Sequence, residues 1–335
     1  MRRDSLPEFV CPRCHGDLTT VREAYECHTC RVAYPIVLGI PDFRVEPDPW
    51  IGLDDDRDKA RRLAALVANE SFEDAVRTYW DITPSTAPAQ AQRYIEHVLG
   101  AEDRANEWWE RMVHTEPPAD AGCWLDLGCG TADMVATGAR HGVTLIGIDV
   151  ALRWLVVAAR RGALEGRSDQ LVCANAEFLP FKAATFTRVV SLGLLEHCRD
   201  AVAVTSEAHR VSRAGAVMTL RTVNRFSLLP EPHVGVWGVG FMPRAWADRY
   251  VQWRSNLRYQ HHRLLSPREV RRSLRTAGFR NVQVHAAEML PADEARLSSA
   301  ARLIAPAYAL LRQAPLIRTL LRVVAPLLQA RGEAT

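Results

Sequence analysis

Residues 124–131 read Trp124-Leu125-Asp126-Leu127-Gly128-Cys129-Gly130-Thr131, and Ile146-Gly147-Ile148-Asp149 follows, placing Asp149 nineteen residues after Gly130. A short apolar strand runs into a glycine turn, a helix follows, and a second strand ends in an acid. That order predicts a doubly wound α/β domain whose first loop and second strand hold an adenosine-bearing cofactor. Gly128 and Gly130 let backbone approach a ligand where a Cβ would clash. Asp149 is the expected acceptor for two ribose hydroxyls.

A dinucleotide site normally carries a third glycine in the pattern G-x-G-x-x-G, and here that position is Asp133. An acid inside the first strand, with Gly-Cys-Gly behind it, resembles motif I of the class I S-adenosylmethionine-dependent methyltransferases. The likeness continues in order. Cys173-Ala174-Asn175-Ala176-Glu177-Phe178-Leu179-Pro180-Phe181 is similar to the family's third motif, and Phe186–Asp200 to its fourth strand and active-site mouth. Glu207–Gly215 resembles the following helix and turn, and Ala216–Asn224 the fifth strand. A helix over Ser266–Gly278 and a strand near Asn281–Glu288 complete the resemblance, which covers about residues 120–290. It implies a Rossmann-like seven-stranded sheet binding S-adenosylmethionine through Asp126, Gly128, Gly130, Asp149, Val150, Asn175, Ala176, Glu177 and Leu194. Two positions depart from the family. Ala132 replaces the last glycine of motif I, at little expected cost if its φ is negative. Asn175 replaces an acid, keeping an acceptor but losing the charge.

Near the amino terminus, Cys11-Pro12-Arg13-Cys14 and Cys27-His28-Thr29-Cys30 form two C-x2-C knuckles twelve residues apart. Four thiolates so spaced can close a tetrahedral Zn2+ site. Fewer than about fifty residues cannot build a sufficient apolar core, so the metal would hold the module together. Disulfides are the alternative, but four further cysteines lie in the core region and point to a reducing, cytoplasmic setting. The run Cys30-Arg31-Val32-Ala33-Tyr34-Pro35-Ile36-Val37-Leu38-Gly39-Ile40-Pro41 resembles the ending of a small zinc-ribbon family whose stand-alone members activate methyltransferases. That resemblance implies a protein partner, here fused in cis.

The expected organisation is a zinc ribbon at 1–43, a linker and helical cap at 44–118, and a methyltransferase domain at 119–335. The linker is the Pro- and Asp-rich 44–60. Helical periodicity follows over 60–115, as a lid over the cofactor or as a packing layer. Charge is uneven: residues 44–118 hold nine basic and sixteen acidic side chains, residues 225–331 seventeen and six. No uncharged apolar run reaches a membrane-spanning length.

Loops after strands four and five are expected at the substrate end of the sheet. The first is Leu194-Leu195-Glu196-His197. The second is an insertion at 225–262, glycine-rich and aromatic, suited to a small or lipophilic acceptor that would be methylated at oxygen or carbon by in-line transfer. His197 and His233 are the candidate bases for a hydroxyl, with Glu196 and Glu231 to orient them. Residues 292–324 read as amphipathic helices before a last strand at Leu327–Arg331, either packed on the enzyme or lying on a membrane surface. Methylation of RNA and non-catalytic partner binding are the alternative functions. The ribbon and the basic half favour RNA; the missing N-P-P-Y tetrad after strand four argues against it.

Overall fold

The computed structural model describes residues 7–84, 86, 88–115, 122–164, 166, 170–294, 306–312 and 314–335. The 118/119 boundary lies outside these, as do Arg302, Leu303 and Ile304 of the 292–324 run. The chain divides into two compact units, Met1–Arg188 and Val189–Thr335.

In the first unit, β1 (Thr19–Val21), β2 (Ala24–Cys27), β3 (Val32–Val37) and β4 (Ile40–Pro41) form a small antiparallel sheet in that order. Val37 pairs with Ile40 across a two-residue turn. Leu38 and Gly39 both take positive φ there, 56° and 78°, which suits the twist of a tight hairpin. Four helices follow: α1 (Leu53–Leu66), α2 (Phe72–Asp81), α3 (Pro88–Leu99) and α4 (Ala101–Thr115). Parallel strands β5 (Trp124–Leu127), β6 (Leu145–Asp149) and β7 (Leu171–Cys173) alternate with α5 (Asp133–Arg140) and α6 (Leu152–Ala158). All four residues of β5 are buried, as a parallel strand covered on both faces requires. The cap helices pack on this layer: α1 lies on α6, α4 on α5. Trp109 of α4 stacks on Trp124 at 5.0 Å between centroids.

The second unit contains α7 (Ala201–Val211), β9 (Ser212–Val223), α8 (Arg244–Ser255), α9 (Pro267–Thr276), β10 (Arg280–Ala286), α10 (Pro315–Val324) and β11 (Leu327–Glu333). With β8 (Phe186–Leu192), the seven-stranded sheet runs β10-β11-β9-β8-β5-β6-β7. β11, the expected last strand, pairs antiparallel with both β9 and β10 and lies between them. α9 opens with a complete capping box between Ser266 and Glu269, which satisfies two orphan backbone donors. β9 begins at Ser212, before the expected Ala216, with Gly215 at φ 80°.

The stretch expected to be a linker is not one. α1 starts at Leu53, and Arg44, Asp48 and Asp56 are buried. Arg44 donates two hydrogen bonds to Asp42, each 2.8 Å, and a third to Asp56 at 2.6 Å. Arg153 donates to Asp56 at 2.7 Å and to Asp48 at 2.9 Å. Arg57 completes the set with a 2.8 Å bond to Asp42. Three carboxylates thus face three guanidinium groups, and the buried charge is balanced. Burial pushes the Asp42 carboxyl up, but Arg44 and Arg57 outweigh it and hold it below the usual range. An acid-rich segment looks solvated in sequence; here its acids are consumed by arginines from distant positions.

Removing one partner leaves a buried charge unmatched, which costs about 3–5 kcal/mol. Asp56→Ala should lower the unfolding free energy by that amount in denaturant titration. A loss near that of an exposed pair such as Arg61–Asp58 would show the network to be energetically idle.

Candidate functional site

The glycine loop after β5 is built by left-handed backbone. Gly128, Gly130 and Ala132 have φ of 74°, 52° and 58°. Gly128 and Cys129 both donate their backbone N–H to the Ile148 carbonyl at 2.9 Å, which pins the loop beside the end of β6. A Cβ on Gly130 would meet nothing within 4 Å, so the backbone there faces open space. Gly147 is the opposite case: a Cβ would sit 2.8 Å from Val135 Cγ2, so its role is close helix–strand packing.

Ala132 corrects the expectation of a negative φ. Its left-handed conformation carries the steric cost that glycine avoids, and its side chain is fully buried. Relief of that strain in Ala132→Gly is offset by lost methyl burial and a more flexible unfolded chain.

Asp149 ends β6 with its carboxylate already oriented. Oδ2 accepts from Gly130 N–H at 2.9 Å and Oδ1 from Ala151 N–H at 2.8 Å. Each oxygen retains acceptor capacity for a ribose hydroxyl. Burial raises the Asp149 carboxyl, against these two backbone donors. Asp126 is 3% exposed, and burial pushes its carboxyl well up, helped by Asp133 and Asp149. No cation among the described residues pairs with Asp126. This acid-rich end of the sheet favours a positively charged ligand.

The loop is braced from outside by residues the motifs did not indicate. Arg161, buried, donates to the Thr131 carbonyl at 2.6 Å and pairs with Glu102 at 2.9 Å. Arg44 donates to the Val150 carbonyl at 3.0 Å, and Asp56 accepts from Leu152 N–H at 3.0 Å. The Val150 backbone is therefore held by the buried ion network. Asn175 is committed elsewhere: its Oδ1 accepts from Val45 and Glu46 N–H at 2.9 and 3.1 Å, and its Nδ2 donates to the Glu46 carbonyl. That donor explains the departure from an acid, because a carboxylate would face the carbonyl with no proton to give. Ala176 is buried and Glu177 half-buried beside it.

The four ribbon cysteines converge. Cys11 and Cys30 Sγ lie 3.8 Å apart, Cys14 and Cys27 Sγ 3.6 Å. Tetrahedral zinc with Zn–S near 2.3 Å sets thiolates about 3.8 Å apart, so the donor set fits. The ribbon also meets the sheet edge: Phe43 N–H donates to the Cys173 carbonyl at 2.8 Å, and Val10 N–H to Pro180 at 3.0 Å.

In the second unit, His197 and His233 come together, and a third ring that sequence reasoning missed, His262, joins them. Ring centroids are 4.8 Å apart for His197–His233, 5.1 Å for His197–His262 and 4.4 Å for His233–His262. Glu231 orients His233, 2.5 Å from Nδ1, and itself accepts backbone N–H from His233 and Val234. Burial disfavours charge on His233, but the Glu231 bond prevails and raises its pKa. Burial, with His233 and His197 nearby, pushes His262 down to about 4. Glu196 does different work from that expected, accepting from Thr222 Oγ1 at 2.7 Å and Val223 N–H at 3.3 Å at the end of β9. Leu194 is half-buried just before the turn carrying His197, whose N–H donates to its carbonyl at 2.8 Å.

The insertion is folded. Val236, Val239, Ala247, Val251 and Tyr259 form their own apolar cluster. A Cβ on Gly240 would fall 1.4 Å from the Arg225 carbonyl oxygen, so glycine is mandatory where the two segments touch.

A seven-stranded sheet with this strand order, a glycine loop after β5 and an acid closing β6 defines a class I S-adenosylmethionine-dependent methyltransferase. A family described as a methyltransferase domain matches residues 94–284, more than half the chain, and the chain belongs to it. It resembles the ubiquinone biosynthesis O-methyltransferase of Methylocella silvestris, 31% identical over 159 residues, covering 46% of this chain and 56% of that one. The enzyme of that name from Sinorhizobium medicae is 24% identical over 225 residues, covering 67% and 82%. In the Methylocella silvestris and Idiomarina loihiensis relatives the match spans only 56% and 63% of their length. Among solved structures, Haemonchus contortus phosphoethanolamine N-methyltransferase 2 gives a TM-score of 0.45 at 15% identity, covering 67% of this chain and 51% of that one. A Haloferax volcanii complex of the Trm112 activator with a methyltransferase gives 0.45 at 16%, covering 70% and 92%. At these scores neither bears on function.

Ala132→Gly should change the unfolding free energy by less than about 1 kcal/mol, whereas Ala132→Val, β-branched at positive φ, should cost about 2 kcal/mol or more. Equal effects in denaturant unfolding would contradict the left-handed assignment.

Proposed function

We propose that the chain transfers the methyl group of S-adenosylmethionine to an oxygen of a small or lipophilic acceptor. The observation that carries this reading is the Glu231–His233 pair, a carboxylate-held imidazole 2.5 Å from its partner, in the insertion behind β9. The donor is an activated sulfonium, so the protein's task is to align the acceptor, exclude water and take its proton. A hydroxyl needs that last step near neutral pH, and an oriented imidazole performs it. His197, in the loop after β8, is the second candidate in the same cluster. The relatives named as O-methyltransferases support oxygen as the acceptor atom.

The cofactor assignment rests on Asp126, Asp149 and the open backbone at Gly130. A sulfonium and an ammonium would meet the buried acids, and the ribose would take the remaining lone pairs of Asp149. A lipophilic acceptor is supported by apolar side chains left in solvent on the insertion: Trp237 is 58% exposed, Trp246 64% and Trp253 76%. Leu310 and Leu320, 69% and 61% exposed, support contact of the described part of 292–324 with a lipid surface. No described helix is long and apolar enough to cross a membrane. The ribbon is assigned a structural zinc on Cys11, Cys14, Cys27 and Cys30, with its outer face as the site for a protein partner.

Zinc-loaded protein incubated with labelled S-adenosylmethionine and fractionated host extract should label the lipid or small-metabolite pool. Label in RNA would overturn the reading. His233→Ala should leave cofactor affinity intact and lower turnover about 100-fold or more; an unchanged rate would remove the cluster from the reaction.

A further inference from the structure

We propose that His197, His233 and His262 bind a divalent transition ion of the zinc type, in a second metal site separate from the four cysteines. Each offers one ring nitrogen, and the three nitrogens lie within 4.8 Å of one another. They come from three separate segments: the turn after β8, the loop after β9, and the loop after α8. Zn–N bonds of 2.0–2.1 Å place tetrahedral ligands about 3.3 Å apart. The rings are half-buried, and the ion would draw their nitrogens closer together.

The surroundings are those of metal-ligating imidazoles. A ligand histidine usually gives its other N–H to a carboxylate or a backbone carbonyl, which fixes the tautomer and raises basicity. His233 has Glu231 at Nδ1, 2.5 Å away, and His262 has the Gln260 carbonyl at Nδ1, 2.8 Å away. A metal would then take the other ring nitrogen, Nε2, of His233 and His262. Glu231 is buried and fixed by two backbone donors, so its position against His233 is set. Three imidazoles suit zinc, cobalt, nickel or ferrous iron, and disfavour magnesium or calcium, which take oxygen donors. Three protein ligands leave the fourth position open, as in catalytic rather than structural zinc sites.

The use of the site rests on the methyl-transfer reading above; the binding of the ion does not. An acceptor hydroxyl at the open position would ionise near neutral pH, its proton passing to water. The oxygen would then form the new C–O bond as the methyl–sulfur bond breaks, releasing a neutral thioether. In that state His233 serves as a ligand, and the ion performs the ionisation assigned above to the cluster.

The test is cobalt(II) titration of the full-length, metal-stripped protein, with metal content measured by mass spectrometry. Two ions per chain are expected. One should show sulfur-to-cobalt charge transfer from the ribbon, the other weaker visible bands without it. His262→Ala should lose only the second, and Glu231→Gln should weaken it by about 10- to 100-fold. Saturation of the wild type at one ion, all of it sulfur-bound, would overturn the proposal whether or not the variants fold. Methyl transfer by protein holding only the ribbon ion would sink the catalytic use of the site, leaving its binding of the ion to the titration. Two ions with no methyl transfer would leave the inference standing and sink the function.

Discussion

Arg44 is where the ribbon exit, the first cap helix and the backbone after β6 are joined. Its guanidinium sits between Asp42 and Asp56, both with fully buried side chains, and reaches the Val150 carbonyl. Asp56 passes the constraint on, to Arg153 and to the Leu152 N–H. Each desolvated charge is unaffordable alone, and together they are neutral and saturated with hydrogen bonds. The consequence for function is positional. The residues flanking Asp149 are fixed at Val150 and Leu152 by the buried network, and its carboxylate is held by the Gly130 and Ala151 N–H groups.

This arrangement gives the amino-terminal ribbon a physical reason to be part of the same chain. Its exit segment supplies Asp42, Arg44 and the Val45–Glu46 backbone that occupies Asn175. Phe9, Tyr25, Tyr34, Phe43 and Phe181 pack ring to ring at 5.0–5.8 Å across the same boundary. The ribbon thus meets the edge of the sheet through hydrogen bonds and aromatic contacts, in addition to bringing its four cysteines together.

Much of the fold was legible because its constraints are local. A strand, a glycine loop and an acid at fixed spacing leave little choice of residue, so Asp126, Gly128, Gly130 and Asp149 stand out, as do paired cysteines. The helix opening at Ser266 and the strand at Leu327 were visible for the same reason. What was not visible depends on chain folding over long distances. Arg44 and Val150 are 106 positions apart, and no pattern links them, so a buried network looked like an acidic linker. Ala132 misled because its composition says nothing of φ. His262 lies in an aperiodic loop, and only the folded insertion brings it to His197 and His233; a histidine doublet at 261–262 was its single trace. Asn175 was recognised as unusual, but its partners on Val45 and Glu46 could not be inferred from a motif.

The central claim is that the buried acids at the end of β5 and β6 hold a cationic, adenosine-bearing methyl donor. Calorimetric titration with S-adenosylmethionine in two buffers of different ionisation enthalpy tests it most directly. Burial raises the Asp126 carboxyl well above the usual carboxylate range, and a bound cation favours its ionised form. Binding should therefore occur at one site and, as pH falls into the raised range of Asp126, weaken with release of protons to the buffer. Absence of binding, or binding with no proton release and no pH dependence, would contradict the account.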